Sequence, residues 1–362
     1  MLALTGVLGL IAAGVFADSF VRGAVTSDAS AEDDDDPFGD GAPMTPQGAG
    51  ALDLGPDTGE EGLSEWDFLL LDLWEDDSLE EPALGLFPDA PESSDLPVSI
   101  PDLELHAGTD GAFLAGGDGD DTLWGGAGDD TLSGGVGDDV LHAGDGSNHL
   151  LGGAGDDVLR GGSGNDTLDG GPGSDTLVAG GGDNLLRGGA GDDVLIGGDG
   201  ADSLMGGYGD DLLRAGTGGQ TLFGGAGDDT LVGAVLDDAG RDVGGANFLN
   251  GGAGDDLLIL GQGDIAHGGS GADSFMLGSW LDEEGTALIQ DFDQAQDRLV
   301  LAYDPAVHPD PQITLDSVPD DPGAVIVRLD GVPLAKVQGG AGLTAQDIDL
   351  IDELPPILMH AG

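Results

Sequence analysis

The amino-acid sequence predicts an all-β protein whose strands stack as a parallel β-roll. The first observation is a repeat of nine residues that runs from Ala107 to Ile259 without a phase slip. The second is a leucine at the eighth position of 16 of the 17 units, and the third is a glycine-rich loop before each leucine. Two units make one coil of 18 residues, so residues 107–259 predict about 8.5 coils.

Each unit combines a loop with a short strand, as in Gly125–Ser133 (GGAGDDTLS) and Gly152–Arg160 (GGAGDDVLR). In a strand of three residues the central side chain points opposite to its neighbours, so the leucines predict the core and positions seven and nine the surface. Glycine at positions one, two and four predicts a sharp turn whose carbonyls point inward. The aspartate at position six would face the same point. Carbonyl and carboxylate oxygens in flexible geometry suit calcium better than magnesium or zinc.

These units closely resemble the calcium-binding repeats of the RTX (repeats-in-toxin, hemolysin-type) proteins that Gram-negative bacteria export. The resemblance implies that each ion lies between loops of successive coils and is shared by the position-six aspartates of both. It also implies type I secretion to the cell exterior. The calcium ligands that it predicts are Asp121, Asp130, Asp139, Asp157, Asp166, Asp175, Asp193, Asp202, Asp211, Asp229 and Asp256.

Position six differs between the two edges of the predicted roll, because alternate units lie on opposite edges. One edge carries Asp121, Asp139, Asp157, Asp175, Asp193, Asp211, Asp229 and Asn247. The other carries Ala112, Asp130, Asn148, Asp166, Asn184, Asp202, Gln220, Asp238 and Asp256. Position one changes in step from Gly to Ala at Ala107, Ala143, Ala179 and Ala215. The hypothesis is that the second edge has single-carboxylate sites, which bind calcium more weakly because they have fewer ligand charges.

Calcium is also expected to fold the array. Stacked carboxylates about 5 Å apart repel each other, and strands this short bury little surface before they stack. The metal-free roll is therefore predicted to be mostly unfolded, with calcium binding energy serving as folding energy. Extracellular modules bind calcium at about 10⁻⁴–10⁻³ M, so such a chain would fold outside the cell.

The composition fits a cation as partner. Eight basic residues against 71 acidic ones give a formal net charge of −63. Nucleic acid is excluded, because no basic patch is available to displace counterions from phosphates. The chain has no cysteine, which excludes disulfides and thiolate metal sites.

Two segments precede the array. Residues 1–17 are apolar and uncharged, which leaves a signal peptide, an uncleaved anchor and a plain hydrophobic tail as alternatives. Residues 18–106 carry 25 Asp or Glu against one Arg and are predicted to be disordered. Within them, residues 63–74 (LSEWDFLLLDLW) either form an amphipathic helix on contact with a partner or are chance hydrophobics in a solvated acidic segment.

Residues 260–362 lose the nine-residue period but stay rich in strands. The unit at 233–241 lacks most of its loop glycines and its leucine, and is predicted to form a bulged loop. Gly268–Met276 (GGSGADSFM) and the stretch 288–301 resemble the segment that closes the roll in serralysin-type proteins, which implies a cap over the open end. The stretches 324–329 and 334–337, joined by Asp330-Gly331, predict a hairpin. By the same resemblance this region carries an uncleaved type I secretion signal.

No catalytic motif accompanies the array. The sequence has no His-Glu-x-x-His and no Gly-x-Ser-x-Gly, and the acidic region is too poor in apolar residues for an enzyme core. The predicted function is a secreted, non-catalytic calcium-binding protein that acts as an extracellular or cell-surface binding or structural module. The alternative is an RTX accessory module or enzyme, epimerase- or hydrolase-like, that acts on extracellular polysaccharide. A glycan or a cell surface is accordingly a predicted partner.

Overall fold

The computed structural model describes residues 102–282, 285–352 and 356–358. All of them belong to one compact unit, Ala90–Gly362. The predictions for the apolar segment 1–17, for most of the acidic region 18–106 and for the island 63–74 lie outside the described residues.

Strands dominate the described chain. The first thirteen strands are β1 (Glu104–His106), β2 (Phe113–Asp118), β3 (Thr122–Ala127), β4 (Thr131–Val136), β5 (Val140–Asp145), β6 (His149–Ala154), β7 (Val158–Ser163), β8 (Thr167–Pro172), β9 (Thr176–Gly181), β10 (Leu185–Ala190), β11 (Val194–Asp199), β12 (Ser203–Tyr208) and β13 (Leu212–Arg214). The remaining strands are β14 (Thr221–Ala226), β15 (Thr230–Val232), β16 (Phe248–Ala253), β17 (Leu257–Ile259), β18 (Ile265–Ser270), β19 (Ser274–Gly278), β20 (Ala287–Ile289), β21 (Arg298–Ala302), β22 (Ile313–Val318), β23 (Asp321–Leu329), β24 (Val332–Gln338) and β25 (Ile348–Ile351). A short 3₁₀ helix covers Pro356–Leu358.

The strands form two sheets, and the chain alternates between them. The odd-numbered strands β1 to β21 pair in order in one sheet, with β25 at its end, and the even-numbered strands β2 to β20 pair in order in the other. Neighbours are parallel, with Leu123 opposite Leu141 and Leu141 opposite Leu159. This spacing confirms the coil of 18 residues, and the β-roll has about 10 turns.

The leucine column is the core, as predicted. Leu123 through Leu231 at every ninth position, together with Leu249 and Leu258, are fully buried between the sheets. Leu114, at the first coil, is partly buried. Positions seven and nine are more exposed and form the outer faces, where His149 and Arg160 are exposed. The column therefore supplies the apolar burial that holds the two sheets together.

Most strands are longer than predicted. The prediction of three-residue strands was wrong for β2 to β12, which have six residues because the ladder continues into the next glycine pair. Gly126 has a φ of 99°, and the amide of Ala127 then donates to Gly108 O in the coil before it at 3.2 Å. A positive φ is open to glycine at little cost, which explains the residue at position two.

The unit at 233–241 leaves the roll, as predicted. Thr230 pairs with Leu257 and Thr221 with Phe248, a spacing of 27 residues in place of 18. Within the loop Leu236 bridges Asp242, and Arg241 forms an ion pair with Asp237 at 2.7 Å. Because one whole unit is excluded, every later unit changes sheet and edge relative to the sequence-based assignment.

The edge assignment after residue 229 was therefore wrong. Asp256, not Asn247, follows Asp229, since the amide of Asp229 donates to Asp256 Oδ1 at 2.8 Å. Asn247 instead follows Gln220, whose amide donates to Asn247 Oδ1 at 2.9 Å. Asp238 lies in the excluded loop and belongs to neither series.

The region after residue 259 extends the roll and closes it. Phe275 takes the place of a core leucine and pairs with Leu258, and β19, β21 and β25 continue the first sheet. Strand β24 pairs with β20 and continues antiparallel into β23 and β22, so the parallel edge of the second sheet is covered. The predicted hairpin is confirmed, with Asp330 and Gly331 at positive φ in its turn. The indole N–H of Trp280 donates to Leu260 O at 2.8 Å beneath this cap.

Among the described residues, no helix has the length and apolar character that crossing a membrane would require.

Candidate metal centres

The position-six side chains lie at the two edges of the roll, where the chain passes from one sheet to the other. All eleven aspartates predicted as ligands are at most 2% exposed. The structure thus stacks them in two columns, one at each edge, and each coil contributes one position-six side chain to each column. A buried carboxylate is costly unless it is paired or coordinates a metal, so their surroundings decide what they do.

One oxygen of each carboxylate links consecutive coils. The amide of Asp139 donates to Asp157 Oδ1 at 2.8 Å, and that of Asp157 donates to Asp175 Oδ1 at 2.8 Å. The amide of Asp175 donates to Asp193 Oδ1 at 2.7 Å in the same way. These bonds fix the direction of every carboxylate, and hydrogen bonds to charged acceptors are stronger than neutral ones.

The other oxygen has no hydrogen-bond partner. Oδ2 lacks a hydrogen-bond partner in each of the eleven aspartates, and Oε1 of Gln220 lacks one as well. The eleven aspartates are Asp121, Asp130, Asp139, Asp157, Asp166, Asp175, Asp193, Asp202, Asp211, Asp229 and Asp256. Most buried polar atoms in proteins are hydrogen-bonded, and an exception needs an explanation. An anionic oxygen that is buried and unpaired in every coil fits a cation as its partner.

Backbone carbonyls converge on the same points. A Cβ built on Gly152 would collide with Asp157 Oδ2 and would lie 2.7 Å from Gly170 O of the next coil. Two oxygens from consecutive coils therefore face one small space. Within the described part of the chain, no three His, Asp or Glu side chains group as a metal site, so carbonyls would have to complete the ligand set. Calcium accepts such mixed oxygen ligands.

The carboxylates of the first edge resist ionisation while no cation balances them. The pKa of Asp157 is raised to about 7, chiefly by burial and also by the negative charges of Asp175 and Asp139, while the hydrogen bond from the Asp139 amide lowers it. Burial likewise raises the pKa of Asp193 and Asp211 to about 7. A bound divalent cation would favour the ionised form and remove this penalty.

The first edge is a continuous series of carboxylates. It reads Asp121, Asp139, Asp157, Asp175, Asp193, Asp211, Asp229, Asp256 and Asp273. Sequence reasoning missed Asp273, although it occupies position six of the unit that begins at Gly268. The amide of Asp256 donates to Asp273 Oδ1 at 3.0 Å, so the ladder continues into the closing segment.

The second edge alternates carboxylates with amides as far as Gln220, which is followed by a second amide, Asn247. The side-chain amide of Asn184 donates to Gly182 O at 3.1 Å and to Asp202 Oδ1 at 2.8 Å. The side-chain Nδ2 of Asn148 donates to Gly146 O at 3.4 Å. In the asparagine loops the side-chain N–H group donates to a loop carbonyl oxygen. In the aspartate loops the corresponding atom is Oδ2, which has no partner. Weaker calcium binding on this edge stays a prediction.

The alanines of the second edge have a steric reason. Ala143 and Ala179 are fully buried, and each begins a loop whose position six is asparagine. In an aspartate loop such as that of Gly161, a Cβ at position one would collide with Asp166 Oδ2. Glycine at position one is therefore required because a side chain there would occupy the space of the carboxylate. At positions two and four, in contrast, glycine is required by a positive φ.

We expect Gly152→Ala to destabilise the calcium-loaded roll by about 1–3 kcal/mol, since the new methyl group has to displace Asp157 Oδ2. Gly181→Ala is the matched control, because no atom lies within 4 Å of a Cβ there. The control should change the free energy of unfolding by about 0.5 kcal/mol or less. Urea unfolding at fixed calcium measures both. Equal stability of the two variants would show that the residue at position one does not limit the space available to the carboxylate.

A second set of aspartates lies at position five and is exposed. The amide of Ser174 donates to Asp156 Oδ1 at 2.8 Å, and that of Asp210 donates to Asp192 Oδ1 at 2.9 Å. These side chains have the same charge and the same spacing as the buried series. Their exposure allows water to solvate them, so they do not need a metal.

Comparison with known proteins places the repeats. A model of the RTX calcium-binding nonapeptide repeat (4 copies) matches residues 106–141, 142–177, 169–204, 178–213, 205–243, 236–264 and 243–275. Among solved structures, the chain is similar to the extracellular lipase LipA from Serratia marcescens, with 17% identity and a TM-score of 0.17. That match covers 57% of this chain and 40% of the lipase chain. No curated protein matches the chain significantly.

Proposed function

Residues 106–275 are RTX calcium-binding nonapeptide repeats, and on that premise we propose that the chain is a secreted, non-catalytic module that calcium folds outside the cell. The module serves as an extracellular or cell-surface binding or structural element. The observation that carries this proposal is the series of buried, partnerless carboxylate oxygens, one in each coil of the first edge from Asp121 to Asp256.

The same series explains why calcium would control folding. In the absence of a cation, each coil buries a carboxylate whose unpaired oxygen costs free energy, and the cost recurs in every coil. A ligand that binds only the folded chain stabilises it in proportion to the logarithm of its concentration over its Kd. Calcium at cytosolic levels adds little, while calcium at extracellular levels adds a contribution for each site.

Limited proteolysis at two fixed levels of free calcium tests this coupling. We expect cleavage throughout 107–259 at about 10⁻⁷ M calcium and protection at about 10⁻³ M. Magnesium at the higher concentration is the control, because Mg²⁺ dehydrates reluctantly and demands a stricter geometry. Protection at both calcium levels would contradict a fold that depends on external calcium.

Export is the second part of the proposal. By resemblance to RTX proteins, the secretion signal is expected within residues 260–362, where the closing strands β20 to β25 lie. Co-expression with a type I exporter should bring the full chain into the medium, and a chain that ends after residue 259 should stay in the cells. Equal export of both chains would overturn the assignment.

The non-catalytic role is the third part of the proposal. His142 and His149 lie on opposite sheets, at positions nine and seven, and do not form a paired site. Incubation with alginate-type and other acidic glycans, with and without calcium, separates a binding module from an enzyme. Binding without turnover supports the module, and new products would overturn it.

A further inference from the structure

Gln220 differs from the other amides of the second edge. It holds position six between the coils of Asp202 and Asn247, and it is 1% exposed. Its Oε1 is the one amide oxygen that shares the buried, partnerless state of the eleven aspartate oxygens within the described residues. The loop motif alone suggests a site that has lost its carboxylate.

The side chain of Gln220 reaches back into the loop of the preceding coil. Its Nε2 donates to Gly198 O at 3.0 Å, which fixes the orientation of the amide group. A Cβ built on Gly197 would collide with Gln220 Oε1 and would lie 2.8 Å from Asp202 Oδ2. Two buried oxygens without partners therefore face one point, each from a different coil.

Side-chain length explains the difference from asparagine. Asn184 is shorter by one methylene group, and its Nδ2 donates to Gly182 O within its own loop. Its Oδ1 accepts the amide of Asp166 at 2.8 Å, so the asparagine takes over the ladder bond that an aspartate makes. Gln220 extends beyond that position and presents its oxygen to the Asp202 loop.

We propose that Gln220 Oε1 and Asp202 Oδ2 ligate one calcium ion, so that this level of the second edge is a two-oxygen site across two coils. The assignment rests on the proposed calcium-dependent folding. Its donors are one carboxylate and one neutral amide oxygen, a mixture that calcium accepts. The site should bind more weakly than the two-carboxylate sites of the first edge, since it has one ligand charge fewer.

A crystal structure of the calcium-loaded full chain tests the ligand assignment directly. An ion within about 2.3–2.6 Å of both Gln220 Oε1 and Asp202 Oδ2 is the expected result. A calcium-loaded structure in which Gln220 Oε1 is bonded to a protein donor would overturn the proposal, while the other sites would remain occupied.

Two variants test it in solution by calcium calorimetry. Gln220→Glu adds a carboxylate beside Asp202 and should tighten one site several-fold. Gln220→Met keeps the length without the oxygen and should remove one ion from the stoichiometry. Gln346→Glu, on the exposed surface, controls for the added charge and should leave the isotherm unchanged.

The outcomes separate this inference from the proposed function. Wild-type isotherms in both Gln220 variants, with calcium bound normally elsewhere, would overturn the role of Gln220 alone. Failure of the wild-type chain to bind calcium would overturn both.

Discussion

Replacement of Asp157, Asp175 and Asp193 by alanine in one variant is expected to prevent calcium from folding the centre of the roll. Each substitution removes a buried ligand oxygen and also leaves a backbone amide of the preceding coil without its acceptor. A buried donor left unpaired costs about 1–3 kcal/mol. Three such losses in successive coils, added to the lost ions, are comparable to the whole stability of a domain, about 5–15 kcal/mol.

The matched control replaces the exposed Asp156, Asp192 and Asp210 by alanine. This variant changes the net charge by the same amount and in the same stretch of the roll, but leaves the buried ladder intact. It should keep the calcium-induced circular dichroism of the wild type at millimolar calcium, while the first variant should lose most of it. If both variants fold to the same extent at millimolar calcium, the buried aspartates do not bind the calcium that folds the roll.

Low pH is expected to stabilise the metal-free roll, and so to replace part of the stabilisation that calcium supplies. Burial raises the pKa of Asp157, Asp193, Asp211, Asp229 and Asp256 to about 7 in the folded, metal-free roll, against the ordinary value of 3.8 for an aspartate side chain. The folded chain then binds more protons than the unfolded chain between these values. The stabilisation is fully present below the unfolded pKa and is lost as the pH rises through the folded pKa.

Circular dichroism in excess chelator measures this dependence. We expect β structure at about pH 5 and its loss by about pH 8, with calcium restoring it at the higher pH. The variant Asp157→Asn, Asp175→Asn and Asp193→Asn removes three of the titrating groups and should make the loss shallower. The calcium midpoint should rise as the pH falls, because protons compete for the same oxygens. A metal-free chain that gains structure as the pH rises would contradict the account.

Much of the fold follows from local pattern. The nine-residue period and the leucine column predict the parallel coils of 18 residues, because a repeated unit must bury its one apolar side chain against the next coil. The turn residues Asp330-Gly331 predict the closing hairpin, since their positive φ suits a tight reversal. The substitution of Phe275 for a core leucine predicts where the regular roll changes into its cap.

The prediction and the structure differ where the nine-residue period carries no information about the path of the chain in three dimensions. The unit at 233–241 lacks its leucine and most of its loop glycines, which predicts a bulged loop. Because it keeps the length of nine, the sequence does not show that the two edges are exchanged for every later unit. The extra strand length depends on backbone hydrogen bonds of glycine, which carry no side-chain pattern. The reach of Gln220 into the Asp202 loop depends on one methylene group and is visible only in the three-dimensional structure.

The buried carboxylates are proposed to couple folding to calcium, and a calcium titration of the full chain by circular dichroism and calorimetry together tests this coupling most directly. At neutral pH we expect a cooperative transition from coil to β structure, with many ions bound per chain and two classes of affinity for the two edges. The same β structure in excess chelator, with no heat of binding when calcium is added, would contradict the claim.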